Sequence, residues 1–424
     1  MNFRSEELHI PRDFLATGWH IGIKTADLDF GVLHSRRACS AAAVFTQNNF
    51  PGHPVVIGRE HIRDGRLQTI IVNSGNSNVA TGPAGLALAR KTCATTAEHL
   101  GLPDPSLVLP SSTGVIGRQM PGDVLLGACN SISEHLKDQA DFPAFARAIC
   151  TTDAYPKLAS RELSSGVRIT GVAKGAGMIE PDMATMLAYF ASDAAIDPAN
   201  LDRLFRAVMD RSINRISVDG DTSTSDTAVI LANGASDVKV SFSPAADAEF
   251  RALAVPIDPA EIAKIAALDA GSAEFVGVLY EIALELAKLI VADGEGARRY
   301  FEVRVSEARD AGQALRIARS IANSPLVKTA IHGADPNWGR LVMAIGKVPD
   351  GPGDISRLKI FFGEQALHSE NGSDPEVLKT LSAYIQDHRE VKMHVALGAG
   401  DAQECVWASD LSREYVHLNS EYTT

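Results

Sequence analysis

Cysteine is scarce in this chain. Its five cysteines, Cys39, Cys93, Cys129, Cys150 and Cys405, are scattered and odd in number, with no Cys-x-x-Cys pair. That pattern argues against a disulfide framework and a cysteine zinc site, and fits a reducing compartment. Long apolar runs are missing as well. No stretch approaches the roughly 20 residues that a membrane-spanning helix needs. The opening residues, Met1 to Glu7, lack the apolar core of a secretion signal, so the expected location is the cytoplasm. There is no excess of positive charge: 40 Lys and Arg stand against 52 Asp and Glu, for a formal net charge of -12. Nucleic acid and anionic membrane are therefore not expected partners, because both need a concentrated basic surface. Also absent are the Gly-x-Ser-x-Gly elbow of Ser-His-Asp hydrolases and the Gly-Lys-Ser/Thr of a phosphate-binding loop. No internal repeat and no long low-complexity linker divides the chain.

What is present suits a globular enzyme. With 424 residues, 45% of them hydrophobic and 22% charged, the chain can bury one large core or two ordinary ones. Short β-like runs such as Thr69–Asn73, Ala228–Ala232, Arg357–Phe362 and Val391–Ala396 alternate with stretches of helical period, giving an α/β or α+β chain. The clearest helix spans about 273 to 291, with Phe275, Val278, Leu279, Ile282, Leu286 and Leu289 on one face. Further helices are expected over 85–99 and, opening at Pro121, over 121–136. The polar, alanine-rich stretch 243–260 reads as a surface excursion or a short helix.

The most informative segment runs from Lys174 through Gly175, Gly177 and Met178 to Ala184-Thr185 and a short apolar run. Glycines allow a tight bend, and β-branching restricts the Thr185 hydroxyl to few rotamers. If that hydroxyl attacks the Ala184 carbonyl and the ester hydrolyses, Thr185 becomes an N-terminus. Its α-amine, with a pKa of about 8, then serves as base for its own hydroxyl. The plain reading of the same residues is a strand threonine.

Other blocks carry similar double readings. Ser111–Gly117 is a turn of small residues that also offers hydroxyl and backbone donors suited to an oxyanion. Lys174 sits among apolar residues and glycines, where an ammonium suits a substrate carboxylate or assists cleavage. Asp293-Gly-Glu-Gly ends the long helix, which accounts for its glycines but not for Glu295 between them. Asn419 to Thr424 is by default a frayed terminus. In 217–226, Asp219, Asp221 and Ser223 alternate like calcium ligands, but Thr224 replaces the required glycine and Ile230 the closing glutamate, so no metal is expected.

Together these blocks resemble the ornithine acetyltransferase (glutamate N-acetyltransferase) family over almost the whole chain. The shared segments are Lys-Gly-x-Gly-Met-Ile followed by Met-Ala-Thr-Met-Leu, Ser111–Gly117, Thr151–Lys157, Asp293–Gly296, the terminal Asn-x-x-Tyr-x-Thr, 73–83, 217–226 and 333–340. The resemblance implies a layered α/β/β/α sandwich with chemistry like that of N-terminal-nucleophile hydrolases. It implies cleavage between Ala184 and Thr185, giving an α segment 1–184 and a β segment 185–424 interlocked in one body. The carried-over roles are Thr185 as nucleophile, Thr113 and Gly114 as oxyanion hole, and Thr151 (in preference to Thr152), Lys174, Thr185, Glu295, Asn419 and Thr424 as substrate-binding residues. The implied reaction moves an acetyl group from N2-acetylornithine to glutamate through an acetyl-Thr185 intermediate, with ping-pong kinetics. No bound cofactor is implied, acetyl-CoA is a co-substrate for some members, and the expected assembly joins several αβ units, such as α2β2.

Three positions depart from the common family pattern: Asp182 stands where Asn is usual, Glu180 where an uncharged residue is frequent, and Val79 where a cysteine is common. The two carboxylates resemble those of members tied to specialised metabolism. They keep open a specialised N-acyltransferase acting on another amino acid or amine, alongside an N-terminal-threonine amidase or aminopeptidase.

Overall fold

The computed structural model describes residues 8–138, 140–180, 186–349, 351–367, 371–372 and 374–421. In chain order its strands are β1 Phe14–Trp19, β2 Phe30–Phe45, β3 Arg66–Asn73, β4 Val108–Ser112, β5 Lys157–Glu162, β6 Arg168–Lys174, β7 Leu187–Ser192, β8 Ile216–Ser217, β9 Thr227–Ala232, β10 Tyr300–Ala308, β11 Lys359–Phe362, β12 Gln365–Leu367, β13 Glu390–Ala396 and β14 Ala402–Ser409. One sheet has the order β4-β3-β2-β9-β7-β6-β5, with β1 also paired to β2; the other is β12-β11-β13-β10-β14-β8.

The long strand β2 serves two layers. Its first half pairs with β1 and β3, and its second half pairs with β9 from Ser40↔Ala232 to Phe45↔Thr227. Between His34 and Cys39 the register against β3 shifts, and Arg36, Arg37 and Ala38 there are exposed. An irregularity of this kind bends a strand. The apolar side chains show the result. Leu33, Ala41, Val72, Leu109, Val172, Leu187, Tyr189 and Val229 share one core between the β1–β4 layer and the β9-β7-β6-β5 layer. Phe30, Val32, Ile71 and Val108 face outward onto the helices Gly82–His99, Gly122–Asn130 and Ile132–Leu136. On the opposite outside, Ala188, Phe190, Ala228 and Ile230 pack on the helices Pro198–Arg211 and Ala270–Ala292. The layers therefore run helix, sheet, sheet, helix, the α/β/β/α sandwich that was expected. With apolar cores on both faces, β7 is buried at every position. Truncating Phe190, which meets Phe205 edge-on at 5.6 Å between ring centroids, would cost about 3–5 kcal/mol.

The helix Ala270–Ala292 starts where the Asp269 carboxylate accepts the Ser272 N–H at 2.8 Å. Its buried face is broader than one stripe. Phe275, Val276, Leu279, Tyr280, Ile282, Ala283 and Leu286 are all buried, while Val278 and Leu289 are only partly so. The cause is a second neighbour, because Cys405 and Trp407 of β14 join the same core. The second sheet thus lies beyond this helix, and its other face is covered by the helices Ala311–Ala322, Trp338–Gly346 and Pro375–Asp387.

Two local expectations change. The helix expected over 121–136 is divided at Ser131, whose hydroxyl turns back to the Ala128 carbonyl at 3.2 Å. The stretch 243–260 is not a surface excursion: it holds the helix Pro244–Ala252, begins Pro259–Ile262, and buries Phe250, Val255 and Ile257. All five cysteines are free and buried. No helix among the described residues is long and apolar enough to cross a membrane.

Candidate active site

A cavity of about 370 Å³ brings together Thr113, Gly114, Thr151, Lys174, Glu295 and Asn419 from five separate stretches of the chain. Thr185, Ala184 and Asp182 lie outside the described residues, as does Thr424. The chain re-emerges at Met186 and Leu187, and both line the same cavity.

Thr113 and Gly114 follow directly on β4. The Thr113 N–H donates to the Asn73 carbonyl at 3.0 Å, and the Ser77 N–H donates to the Val115 carbonyl at 2.8 Å, so the two loops are laced together. Gly114 has φ +119, and a Cβ there would lie 2.4 Å from the Gly75 carbonyl carbon. Conformation and space both demand glycine. Among the described residues neither the Gly114 N–H nor the Thr113 hydroxyl has a hydrogen-bond partner. Two donors facing a cavity without an acceptor are what an oxyanion requires.

Lys174 closes β6, where alternation sets residues 170, 172 and 174 on one face. Its Nζ donates to the Thr151 hydroxyl at 3.2 Å. Thr151 and Thr152 both line the cavity, but the contact with Lys174 belongs to Thr151. Beneath this pair lies Asp153, with no exposed side-chain surface. Its carboxylate accepts from Lys157 Nζ at 2.6 Å, the Gly175 N–H at 2.7 Å and the Thr151 N–H at 3.0 Å. Burial pushes the Asp153 carboxyl up, yet the Lys157 and Lys174 cations and these hydrogen bonds outweigh it and hold the group down at about 2. Lys157 also reaches Asp293 at 2.6 Å, at the end of the helix Ala270–Ala292. One buried ammonium thus ties the Thr151 loop and the end of β6 to the helix end that carries Glu295.

Glu295 needs room, and Gly177 supplies it: a Cβ on Gly177 would lie 2.6 Å from the Glu295 carboxylate. The Glu295 N–H donates to the Ala176 carbonyl at 2.9 Å, and Asn419 Nδ2 donates to Glu295 Oε2 at 2.7 Å. Asn419 is carried by the helix Arg413–Glu421 and so lies in an ordered element, not a frayed end.

The stretch 217–226 contributes most of what sequence reasoning left without a role. Asp219 accepts the N–H groups of Met178 at 2.6 Å and Ile179 at 2.8 Å, and the Tyr415 hydroxyl at 3.3 Å. It thereby pins the approach to the 181–185 segment, where Met178 has an uncommon φ of +56. Asp221 and Asp226 also line the cavity. Asp226 is 2% exposed, and its Oδ2 has no hydrogen-bond partner among the described residues. Burial pushes its carboxyl well above the usual range, against the pull of Ser223, Lys174 and Thr46 beside it. The signal was the density of Asp, Ser and Thr in the block, which remained without a role once a calcium loop was excluded. Glu180 does not line the cavity; its Oε1 accepts from Asn323 Nδ2 at 2.5 Å. Among the described residues no group of three His, Cys, Asp or Glu side chains is placed to hold a metal. The block 333–340 builds a turn and the start of the helix Trp338–Gly346, capped by Asn337, away from the cavity lining.

Known proteins match this chain along nearly its full length. It is 42% identical over 425 residues to the glutamate N-acetyltransferase Oat2 of Streptomyces clavuligerus, and 40% identical over 415 residues to an arginine biosynthesis bifunctional protein ArgJ of Clostridium acetobutylicum, with 98% of both chains covered in each case. Among solved structures, ornithine acetyltransferase from Mycobacterium tuberculosis, in complex with ornithine, is 32% identical, covering 43% of this chain and 97% of that one with a TM-score of 0.40. The sequence profile of the ArgJ family matches residues 15–424, and the chain belongs to that family.

Proposed function

We propose that the chain is an N-acetyltransferase that moves an acetyl group from N2-acetylornithine to glutamate, after cutting its own Ala184–Thr185 bond. The observation that supports this best is the convergence of unpartnered donors at Thr113 and Gly114, the Lys174–Thr151 pair and the Glu295–Asn419 pair on one cavity, with Met186 in its wall. In this reading the Thr185 α-amine takes the hydroxyl proton and the oxygen attacks the acetyl carbonyl. The Thr113 hydroxyl and Gly114 N–H stabilise the oxyanion, and ornithine leaves behind an acetyl-Thr185 ester. Glutamate then attacks that ester. Donor and acceptor share an α-carboxylate, which suits Lys174, and an α-nitrogen, which suits the Glu295–Asn419 pair. One pocket thus serves both in turn, giving ping-pong kinetics. Acetyl-CoA enters the scheme as an alternative donor, no resident cofactor is part of it, and assembly of several cut units belongs to the same proposal.

Intact mass of purified wild type and Thr185→Ala tests this. Two wild-type fragments meeting at Ala184/Thr185, absent from the variant, and a gain of roughly 42 Da on the second fragment with N2-acetylornithine are expected. An uncut, folded wild type would remove Thr185 from the scheme.

A second reading is favoured by the charge of the cavity. Among the described lining residues Asp219, Asp221 and Glu295 share the cavity with one lysine, Lys174, a balance better suited to a cationic acceptor than to glutamate. A panel of amino acids and amines offered to the acetylated enzyme separates the two readings. Acetate release without any acceptor would instead indicate an amidase.

A further inference from the structure

Asp226 is a buried cavity residue to which the scheme above gives no part. It closes the 217–226 block at the entry to β9, and the Thr46 N–H donates to its backbone carbonyl at 3.1 Å. The residue lines the cavity and is 2% exposed, its carboxyl feels the Lys174 charge, and its Oδ2 has no partner among the described residues. A buried carboxyl with an unused oxygen is costly, and the neutral form lowers that cost. It also lies next to Met186, since Thr227 of β9 donates its N–H to the Met186 carbonyl at 3.1 Å. The acyl-transfer scheme has a proton to place at the same cavity. When the bond between the acetyl carbon and N2 of acetylornithine breaks, that nitrogen must gain a proton, and when the next amine attacks, it must lose one.

We propose that Asp226 is a catalytic acid and base of the transfer, giving its carboxyl proton to the departing nitrogen and taking one from the incoming amine. This rests on the acyl-transfer reading of the site. In the first half-reaction the Thr185 oxygen forms the ester as the carbon–nitrogen bond breaks. The hydroxyl proton goes to the α-amine, and the Asp226 proton goes to the amine that leaves. An α-ammonium and an Asp226 carboxylate remain. In the second half-reaction the acceptor's neutral amine attacks the ester, the carboxylate takes the proton that this nitrogen must lose, and the α-ammonium returns its proton to the Thr185 oxygen. Protons balance in each half, and no further reactant is needed. Lys174 at the end of β6 and the Ser223 and Thr46 side chains act on Asp226 in the opposite sense to burial and favour the carboxylate that the second step uses. Burial favours the neutral acid that the first step consumes.

The test compares two acetyl donors with the cut enzyme. N2-acetylornithine expels an amine that must be protonated; p-nitrophenyl acetate expels a phenolate that need not be. Asp226→Asn keeps the shape and carries no transferable proton. It is expected to lower kcat/KM for N2-acetylornithine by roughly 100-fold or more, the scale of a general-acid contribution, while acetylation of Thr185 by p-nitrophenyl acetate stays within about threefold of wild type. Loss with both donors, through misfolding or failure to cut, or loss with neither, would overturn the proposal. A second measurement needs no variant: with wild type, the rate from N2-acetylornithine should decline at alkaline pH relative to that from the phenyl ester, and parallel profiles would overturn it too. Wild type that accepts acetyl from neither donor would instead overturn the acyl-transfer reading.

Discussion

Replacing Lys157 by methionine should destabilise the fold by about 3–5 kcal/mol, the scale of a buried ion pair broken from one side. The lysine side chain has no exposed surface, and its Nζ lies 2.6 Å from Asp153 Oδ1 and 2.6 Å from Asp293 Oδ2. Methionine fills similar volume but leaves two carboxylates facing an apolar group. Asp153 would retain the Thr151 and Gly175 N–H groups and the more distant Lys174 charge, whereas among the described residues Asp293 would retain only the Ala154 N–H at 3.1 Å. The pH dependence of the Asp153 contribution should change sign, while Asp293, which burial already raises, keeps its sign. In the wild type, burial raises the Asp153 carboxyl, but Lys157 and Lys174 win and hold it at about 2, below the ordinary 3.8. A depressed carboxyl contributes stability above its unfolded pKa, here about 2 kcal/mol, and that contribution is lost as pH falls toward 2. Without the ammonium, the buried carboxyls favour the protonated form, so the variant should lose stability as pH rises. Urea unfolding in an uncut Thr185→Ala background at about pH 3, pH 5 and pH 8 measures both effects. Adding Asp153→Asn to Lys157→Met should recover part of the loss. A single variant within about 1 kcal/mol of its uncut parent at about pH 5 and about pH 8 would refute the account of this cluster.

Gly114→Ala should reduce kcat by roughly 100- to 1,000-fold, as for a lost oxyanion donor, because φ +119 and the Gly75 backbone 2.4 Å away force the N–H to move; steady-state kinetics check this alongside a melting curve. Lys174→Met should raise KM for both N2-acetylornithine and glutamate by about tenfold or more, the value of a charge-assisted hydrogen bond; a rise for only one substrate would show that they do not share the carboxylate site. Asp219→Ala removes the acceptor of the Met178 and Ile179 N–H groups and should slow cleavage at Ala184–Thr185 by roughly 100-fold, read as the fraction of uncut chain by mass.

The sequence disclosed the site's parts better than their assembly. Thr113, Gly114, Lys174 and Glu295 sit in short blocks whose local chemistry is visible, and glycine beside each advertises a backbone under constraint. Asp153, Lys157 and Asp293 were opaque because their contact spans 136 positions between Lys157 and Asp293, and no local period records such a pairing. The bend in β2 was hidden for a similar reason: a register shift against β3 depends on the partner strand as much as on His34 to Cys39. The helix Ala270–Ala292 was recognised from its stripe, whose Val278 and Leu289 pack partly buried against the core, but the wider buried face was not, since it answers to Trp407 approaching from a second side. Asp219 and Asp226 were in view and assigned to no chemistry, since their meaning depends on which backbone or cavity they meet.

The sheet order has a consequence for the life history of the molecule. β9 and β7 lie between β2 on one side and β6 on the other, so strands from after position 185 are clasped by strands from before position 184. The β9-β7-β6-β5 layer draws on both pieces, so on the proposed scheme that layer assembles while the chain is still continuous. If the chain is cut as proposed, folding comes first and cutting second. Once cut, the protein would hold together through the strand pairs Ser40↔Ala232 to Phe45↔Thr227 and Ile169↔Ser192 to Lys174↔Leu187, yet its unfolding would release two molecules where one went in. Recovery then depends on concentration and on two fragments finding one another. The cut enzyme would survive by the height of its unfolding barrier, with little prospect of renaturation after dilution.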